Sequence, residues 1–386
     1  MAMRILAVGE AADEWDRTVA QHRIAATTTS GVKMQPMPAL SKAQFESLCA
    51  AAMAAPSADN KHVFRLESCA DGLRVLATDE FLQARGSRRI LGLISLGAAL
   101  QNLQIRGAAL GIRLEAAWHI GDGVGSRLIA GLSARTMAAA SEPLESALEA
   151  RHSNRRLRFT GPVLSPAEQH RFAQESASVE GADLVWLDTP ASRSRSLRLI
   201  RRAESERFRN EELHRELFGS IRFDVGWHAS ASEGLPAGAL ELPVFERPAF
   251  LALRRWPVQR IANILGVHRF IGLRAADLPC RLAPHLCVVT ATGPVEVAAV
   301  NAGRLLQRLW LRATLLGWSF QVFAASPLYA LEGSTSISQE LRDALATGWA
   351  ELCPAGRAFV VFRMGHAAAP SVRAGRPSVD QLQVRP

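Results

Sequence analysis

Apolar residues recur along this chain at helical spacing in two long stretches that resemble each other. Residues 97–111 read GAALQNLQIRGAALG and residues 303–317 read GRLLQRLWLRATLLG. At one constant offset Gly97, Leu100, Gln101, Leu103, Arg106, Leu110 and Gly111 meet identical residues, and Ile105 meets Leu311. Each stretch predicts a helix apolar around most of its circumference, which belongs inside a protein or at a large interface. Each ends on a glycine suited to a left-handed cap. Buried helices resemble each other cheaply, so a second matching pair carries weight. Leu40-Ser41-Lys42-Ala43 and Leu164-Ser165-Pro166-Ala167 each place an N-cap serine before an alanine-bearing helix, with proline at the first helical position in the second. After each comes a β-branched, apolar run: GLRVLAT at 72–78 and ADLVWLD at 182–188. The repeated order predicts an α+β fold in two degenerate copies, residues 1–140 and 141–386, related by an internal pseudo-twofold.

Other patterns fill the interval. Residues 141–151, SEPLESALEAR, predict a connecting helix, and 193–209 a helix with a solvated basic face. Residues 223–284 have no counterpart in the first copy and carry Gly234, Pro236, Pro243, Pro248 and Pro257 around apolar pieces, which predicts an inserted, lid-like segment. Residues 358–363, AFVVFR, predict a buried strand.

Composition narrows the class. A 386-residue chain with 48% hydrophobic and 21% charged residues can bury a large core, and wholesale disorder does not fit it. The net charge of +9 rests on arginine, since only Lys33, Lys42 and Lys61 are lysines. Such a balance favours an anionic partner without choosing one. Five cysteines, odd in number and without a CxxC pair, make neither a disulfide framework nor a metal site and suggest buried thiols in a reducing compartment. The first residues do not read as a signal peptide, and no stretch reaches the ~18 apolar residues of a spanning helix. A cytoplasmic protein with no membrane or nucleic-acid partner is expected.

Three turns carry candidate chemistry. Ala55-Pro56-Ser57-Ala58-Asp59-Asn60 is an ordinary helix-ending turn, or one that presents hydroxyl and amide groups to a polar ring edge. Arg151-His152-Ser153-Asn154-Arg155-Arg156, before a strand expected at 157–159, is an exposed basic turn or an anion site, since arginine's planar fork suits phosphate oxygens. Arg373 and Arg376, in a loop with glycine and proline, are a phosphate clamp or part of a frayed tail. No GxSxG, HExxH or Walker pattern occurs, and the glycine-rich 121–125 segment reads as a turn rather than a dinucleotide loop.

Taken together these segments resemble the nitroreductase-like flavoprotein superfamily: an R-x-S-x-R turn, an A-P-S-x-x-N turn, a buried G-x-x-x-Q-N-L helix, and a C-terminal strand followed by basic residues. The fused arrangement is similar to the dormancy-associated nitroreductase-like proteins of mycobacteria. The resemblance implies a nitroreductase-like fold and FMN, with its phosphate on Arg151, Ser153, Arg155 and Arg373 or Arg376. It implies the ring beside Ser57 and Asn60, and flavin N5 near the backbone of Ala324 and Ala325. Residues 21–26 replace the first copy's basic turn and 175–180 the second copy's P-S-x-x-N turn, so one complete site per chain is implied, in a monomeric pseudo-dimer. The implied activity is hydride transfer to or from a small organic substrate, with NAD(P)H as a possible co-substrate and no catalytic side chain named. FMN storage or sensing, and a flavin-dependent dehydrogenase acting on a biosynthetic intermediate, are the alternatives.

Overall fold

The computed structural model describes residues 39–119, 127–140, 142–331, 333 and 336–383. The turn at 121–125 and the segment at 21–26 lie outside the described residues. Helix α1 (Lys42–Ala54) begins on Ser41, whose Oγ accepts from the Gln44 N–H while Gln44 returns a bond to the Ser41 N–H. Helix α3 (Pro166–Ala177) begins with the same reciprocal pair, Ser165 and Glu168. Both caps satisfy helix-end donors that would otherwise face water alone.

Between them run β1 (Phe64–Cys69), β2 (Gly72–Ala77), α2 (Gly86–Ala109), β3 (Ile112–Trp118) and β4 (Leu128–Thr136). After α3 come β5 (Ala182–Trp186), an inserted block, β6 (His285–Ala291), α9 (Val295–Leu315), β7 (Ser319–Phe323), α10 (Gln339–Leu352) and β8 (Arg357–Gly365). The inserted block holds α4 (Pro190–Arg209), α5 (Glu211–Ser220), α6 (Arg247–Leu253), α7 (Trp256–Ile264) and α8 (Val267–Gly272). Each half forms a four-stranded antiparallel sheet in one order, β1-β2-β4-β3 and β5-β6-β8-β7. The fold is α+β.

Helices α2 and α9 cross at the two glycines that open the repeated sequence. A Cβ on Gly97 would overlap the Val300 carbonyl oxygen, and a Cβ on Gly303 would overlap that of Ile94. The constant sequence offset carries Ile94 onto Val300 and Gly97 onto Gly303. The contact is therefore reciprocal, as across a twofold axis. Around it Leu93, Leu96 and Leu100 of α2 share one buried core with Leu305, Leu306 and Leu309 of α9, continuous with the inner faces of both sheets. The Gln307 amide donates to Asn102 Oδ1 at 2.7 Å inside this contact, and Asn102 donates to the Ala51 carbonyl at 2.8 Å.

Four expectations need correction. Residues 72–78 form the second strand of a hairpin, so their counterpart in sheet order is His285–Ala291, and the counterpart of β5 is β1. Alternation marks a strand without naming its neighbour. The insertion starts earlier than residue 223: where Ala70 and Asp71 alone join β1 to β2, residues 187–284 join β5 to β6. The linker at 141–151 contains a 3-10 turn, Pro143–Ala147, rather than an α-helix; residue 141 lies outside the described residues. Residues 157–159 make no strand, only the isolated bridge Thr160–His366 beyond them. The helix over 193–209 is present in α4, and β8 contains the expected buried strand. Of the cysteines, four are buried and Cys69 is partly exposed.

Gly97→Ala and Gly303→Ala should each lower stability by about 1–3 kcal/mol, since the obstructing atom is backbone and cannot rotate away. Gly219→Ala in α5, where a Cβ meets nothing within 4 Å, should be neutral or gain up to ~1 kcal/mol. Urea midpoints that fall equally, or not at all, for the three variants would contradict the crossing.

Candidate functional site

All nine candidate residues line two adjoining cavities, of about 460 and 270 Å³, of which the larger alone falls within the ~300–1,000 Å³ usual for small-molecule sites. Ser57, Asn60, Arg151, Ser153, Arg155, Arg373 and Arg376 line the larger. Ala324 and Ala325 line the smaller, together with Leu306 and Trp310 of α9. Ser57, Ser153 and Arg155 face both. Ser57 lies some ninety residues before Arg151 in sequence, and the fold places them at one cavity.

The 55–60 turn is held open by two left-handed residues, Asp59 (φ 52°) and Asn60 (φ 56°), a conformation that asparagine and aspartate tolerate better than most. The Ala58 N–H donates to Ser95 Oγ of α2 at 3.1 Å. The Ser57 Oγ is buried and makes no hydrogen bond with a described residue. A buried hydroxyl without a partner is costly unless something else supplies one. The Asn60 side chain, on the wall of the larger cavity, is already engaged within the protein. Its amide donates to the carbonyls of Ser232 (3.1 Å) and Gly234 (3.2 Å) in the insertion, and its Oδ1 accepts from Arg376 at 2.5 Å. Asn60 therefore ties the turn to the insertion and fixes Arg376, and little of its side chain is left for a ligand.

The 151–156 turn carries its charges on an organised backbone. Asn154 is fully buried; its amide donates to Ser319 Oγ and the Ala368 carbonyl, and its Oδ1 accepts from the Arg156 N–H. Beneath it Arg363 of β8 is fully buried with no carboxylate partner among the described residues. Its guanidinium donates to Gln321 Oε1 and to the carbonyls of Arg156, Leu157 and Pro279, and stacks 3.8 Å from the Phe159 ring centroid. Burial pulls its pKa down to about 10. Neither Asn154 nor Arg363 was singled out from sequence; the one available signal for Arg363 is a cation ending the apolar run AFVVFR.

Arg151 is 5% exposed, donates to the Ala54 carbonyl at 2.8 Å and lies 4.5 Å from the Trp310 ring centroid. Burial, and then the like charge of Arg376, push its pKa well down. Arg155 is half-buried and makes no hydrogen bond or ion pair with a described residue; burial lowers its pKa and Asp59 partly restores it. Arg373 is exposed at the cavity edge, with its carbonyl accepting from Ser230 Oγ. The 370–377 loop is not a frayed tail: Ser371 is bonded to Glu241 and the Gly375 N–H to the Ala231 carbonyl. Four arginines thus share one cavity with only Asp59 and Glu149 as acids on its wall. At the corresponding end of α3, Glu175 is buried between Arg308 and Arg312, so charge there is already paired.

No family model matches the chain, and no curated protein does. Among solved structures it is similar to a nitroreductase with bound FMN from Desulfitobacterium hafniense (13% identity, TM-score 0.32, covering 64% of this chain and 100% of the other). It is also similar to an FMN-dependent nitroreductase from Mycobacterium smegmatis in complex with NADPH (14%, TM-score 0.35, 63% and 97%). A third is a nitroreductase-like protein from Bacillus cereus (12%, TM-score 0.32, 64% and 98%). At this level the likeness carries no argument for function, which rests on the cavity itself.

His62 sits behind the site, and its pKa falls to about 4, first through burial and then through Arg376, with Arg65 and Arg151 adding and the Met53 backbone opposing. The unfolded chain takes up this proton near pH 6.5 and the folded chain only near 4. Stability from neutral His62 is full above 6.5 and lost as pH falls toward 4, by about 3 kcal/mol in all. His62→Phe should flatten that part of the unfolding free energy against pH. An unchanged slope between pH 6.5 and 4 would refute the assignment.

Proposed function

We propose that the two halves are degenerate copies of one unit and that their joint cavity binds FMN for hydride transfer to or from a small organic substrate. The observation that carries this reading is an arginine-rich cavity whose buried polar atoms Ser57 Oγ and Arg151 Nε have no acceptor or donor among the described residues. Such atoms suit a ligand with an anionic end and a polar edge. The two lobes share a wall at Ser57, Ser153 and Arg155.

The flavin, when bound, supplies reversible hydride acceptance at its ring, and the protein supplies position and electrostatics. Arg155 and Arg373, free of partners among the described residues, would take the phosphate, while Arg151 and Arg376 are fixed cations behind them. Charge-assisted bonds of this kind contribute about 1.5–3 kcal/mol each. Ser57 and Ser153 would meet the ribityl chain or ring, and Ala324 and Ala325 bound the lobe where the ring edge would lie. Trp310, already against Arg151, and Leu306 give that lobe an apolar wall. From the insertion, Leu213, Glu216 and Leu217 of α5 close its outer side and limit water and substrate size. NAD(P)H is the proposed donor, met at the same lobe.

FMN should bind about tenfold or more tightly than riboflavin by fluorescence quenching. Arg373→Ala, at an exposed position, should erase much of that preference while leaving riboflavin affinity unchanged. In the same preparation under anaerobic conditions, NADH or NADPH should bleach the bound flavin. Equal affinity for the two flavins would overturn the phosphate assignment, and absence of bleaching by either nucleotide would overturn the donor assignment.

A further inference from the structure

Helix α7 in the insertion is amphipathic the wrong way round for a water-facing helix. Gln259 is fully buried and donates to Asn263 Oδ1 at 2.7 Å, and Asn263 donates to the Phe208 carbonyl at 2.9 Å. On the opposite side Ile261 is 65% exposed, Ile264 83% and the adjoining Leu265 82%. Positions 257, 258, 261, 264 and 265 fall on one side of a helix of 3.6 residues per turn, opposite 259 and 263. Elements adjoining α7 in sequence also expose apolar side chains: Phe245 is 81% exposed before α6, and Phe270 65% in α8. Single exposed apolar residues are ordinary, but a helix that buries its polar side and presents its apolar side is built to be covered.

Charge identifies the cover. Residues 244–274 contain six arginines and one acid, Glu246, which is already paired with Arg274 at 3.1 Å. Arg254, Arg255, Arg260 and Arg269 are exposed, and the last three make no ion pair with a described residue. A second copy docked across a twofold axis would set these arginines against their own images, which like-charge repulsion disfavours. An anionic phospholipid surface meets both features: apolar side chains enter the headgroup–acyl boundary while arginines reach phosphates. No described helix is long and apolar enough to cross a membrane, and a helix lying in the surface needs no such length.

We propose that the outer face of α6–α8 docks this protein on anionic membranes, against the expectation from sequence that no membrane is involved. The full chain should sediment with vesicles of phosphatidylcholine mixed with phosphatidylglycerol. It should bind phosphatidylcholine alone about tenfold or more weakly, and lose binding as salt rises. Ile264→Glu, and separately Arg255→Glu combined with Arg260→Glu, should each weaken binding about tenfold. Their melting temperatures should not change, since these side chains are exposed. No binding to the mixed vesicles, or binding indifferent to both variants, overturns the proposal. So does a concentration-dependent dimer in light scattering that Ile264→Glu abolishes, which would make a second copy the occupant.

Discussion

The crossing of α2 and α9 at Gly97 and Gly303 is the constraint on which the rest of the molecule depends. With no side chain at either position, each helix backbone approaches the other's carbonyl oxygens, and the flanking leucines interlock on both sides. That approach fixes the distance between the halves. It brings the turn that follows α1 beside the turn that follows the linker, and places Trp310 of α9 under Arg151. The C-terminal arm then returns from the second half to the first, where Gln383 bridges to Leu66 of β1. A cavity whose walls come from residues 50–60, 148–155 and 372–379, with Leu235 and Ala239 of the insertion, requires all three arrangements at once.

The second organising feature is the way positive charge is held. Arg151 and Arg363 are buried on carbonyl oxygens and aromatic faces, without carboxylates. Carbonyl dipoles and ring faces stabilise a guanidinium without cancelling its charge. The potential they create remains available to a ligand. At Glu175 the opposite solution is used: Arg308 and Arg312 are neutralised in place. The arginines at the cavity thus keep their charge unpaired by carboxylates, while those at Glu175 do not.

Much of this was legible in the sequence because it depends on local rules. Ser41 and Ser165 declare helix starts, and Gly97 and Gly303 mark the repeated buried helices. The density of arginines at 151–156 and 373–376 marks two cationic turns, which line one cavity. What could not be read depends on distant partners. The strand at 72–78 has the right alternation, but its neighbour is decided by the sheet rather than by the run. The Asn60 side chain looked free for a ligand because its partners, Ser232, Gly234 and Arg376, lie more than 170 residues away. Arg363 is marked only as a cation ending an apolar run, which does not name the four remote acceptors that hold it. The reversed polarity of α7 was present in its letters, but its direction appears only once Phe208 is seen beneath it.

If both half-sites that matter lie in one chain, then one polypeptide alone should form one flavin site. Light scattering coupled to flavin absorbance on the FMN-loaded protein, in the absence of vesicles, measures mass and stoichiometry together. The account predicts a single species at the 41.8 kDa of one chain, carrying one FMN. A species of two chains that releases its flavin on dissociation, or two flavins per chain, would contradict it.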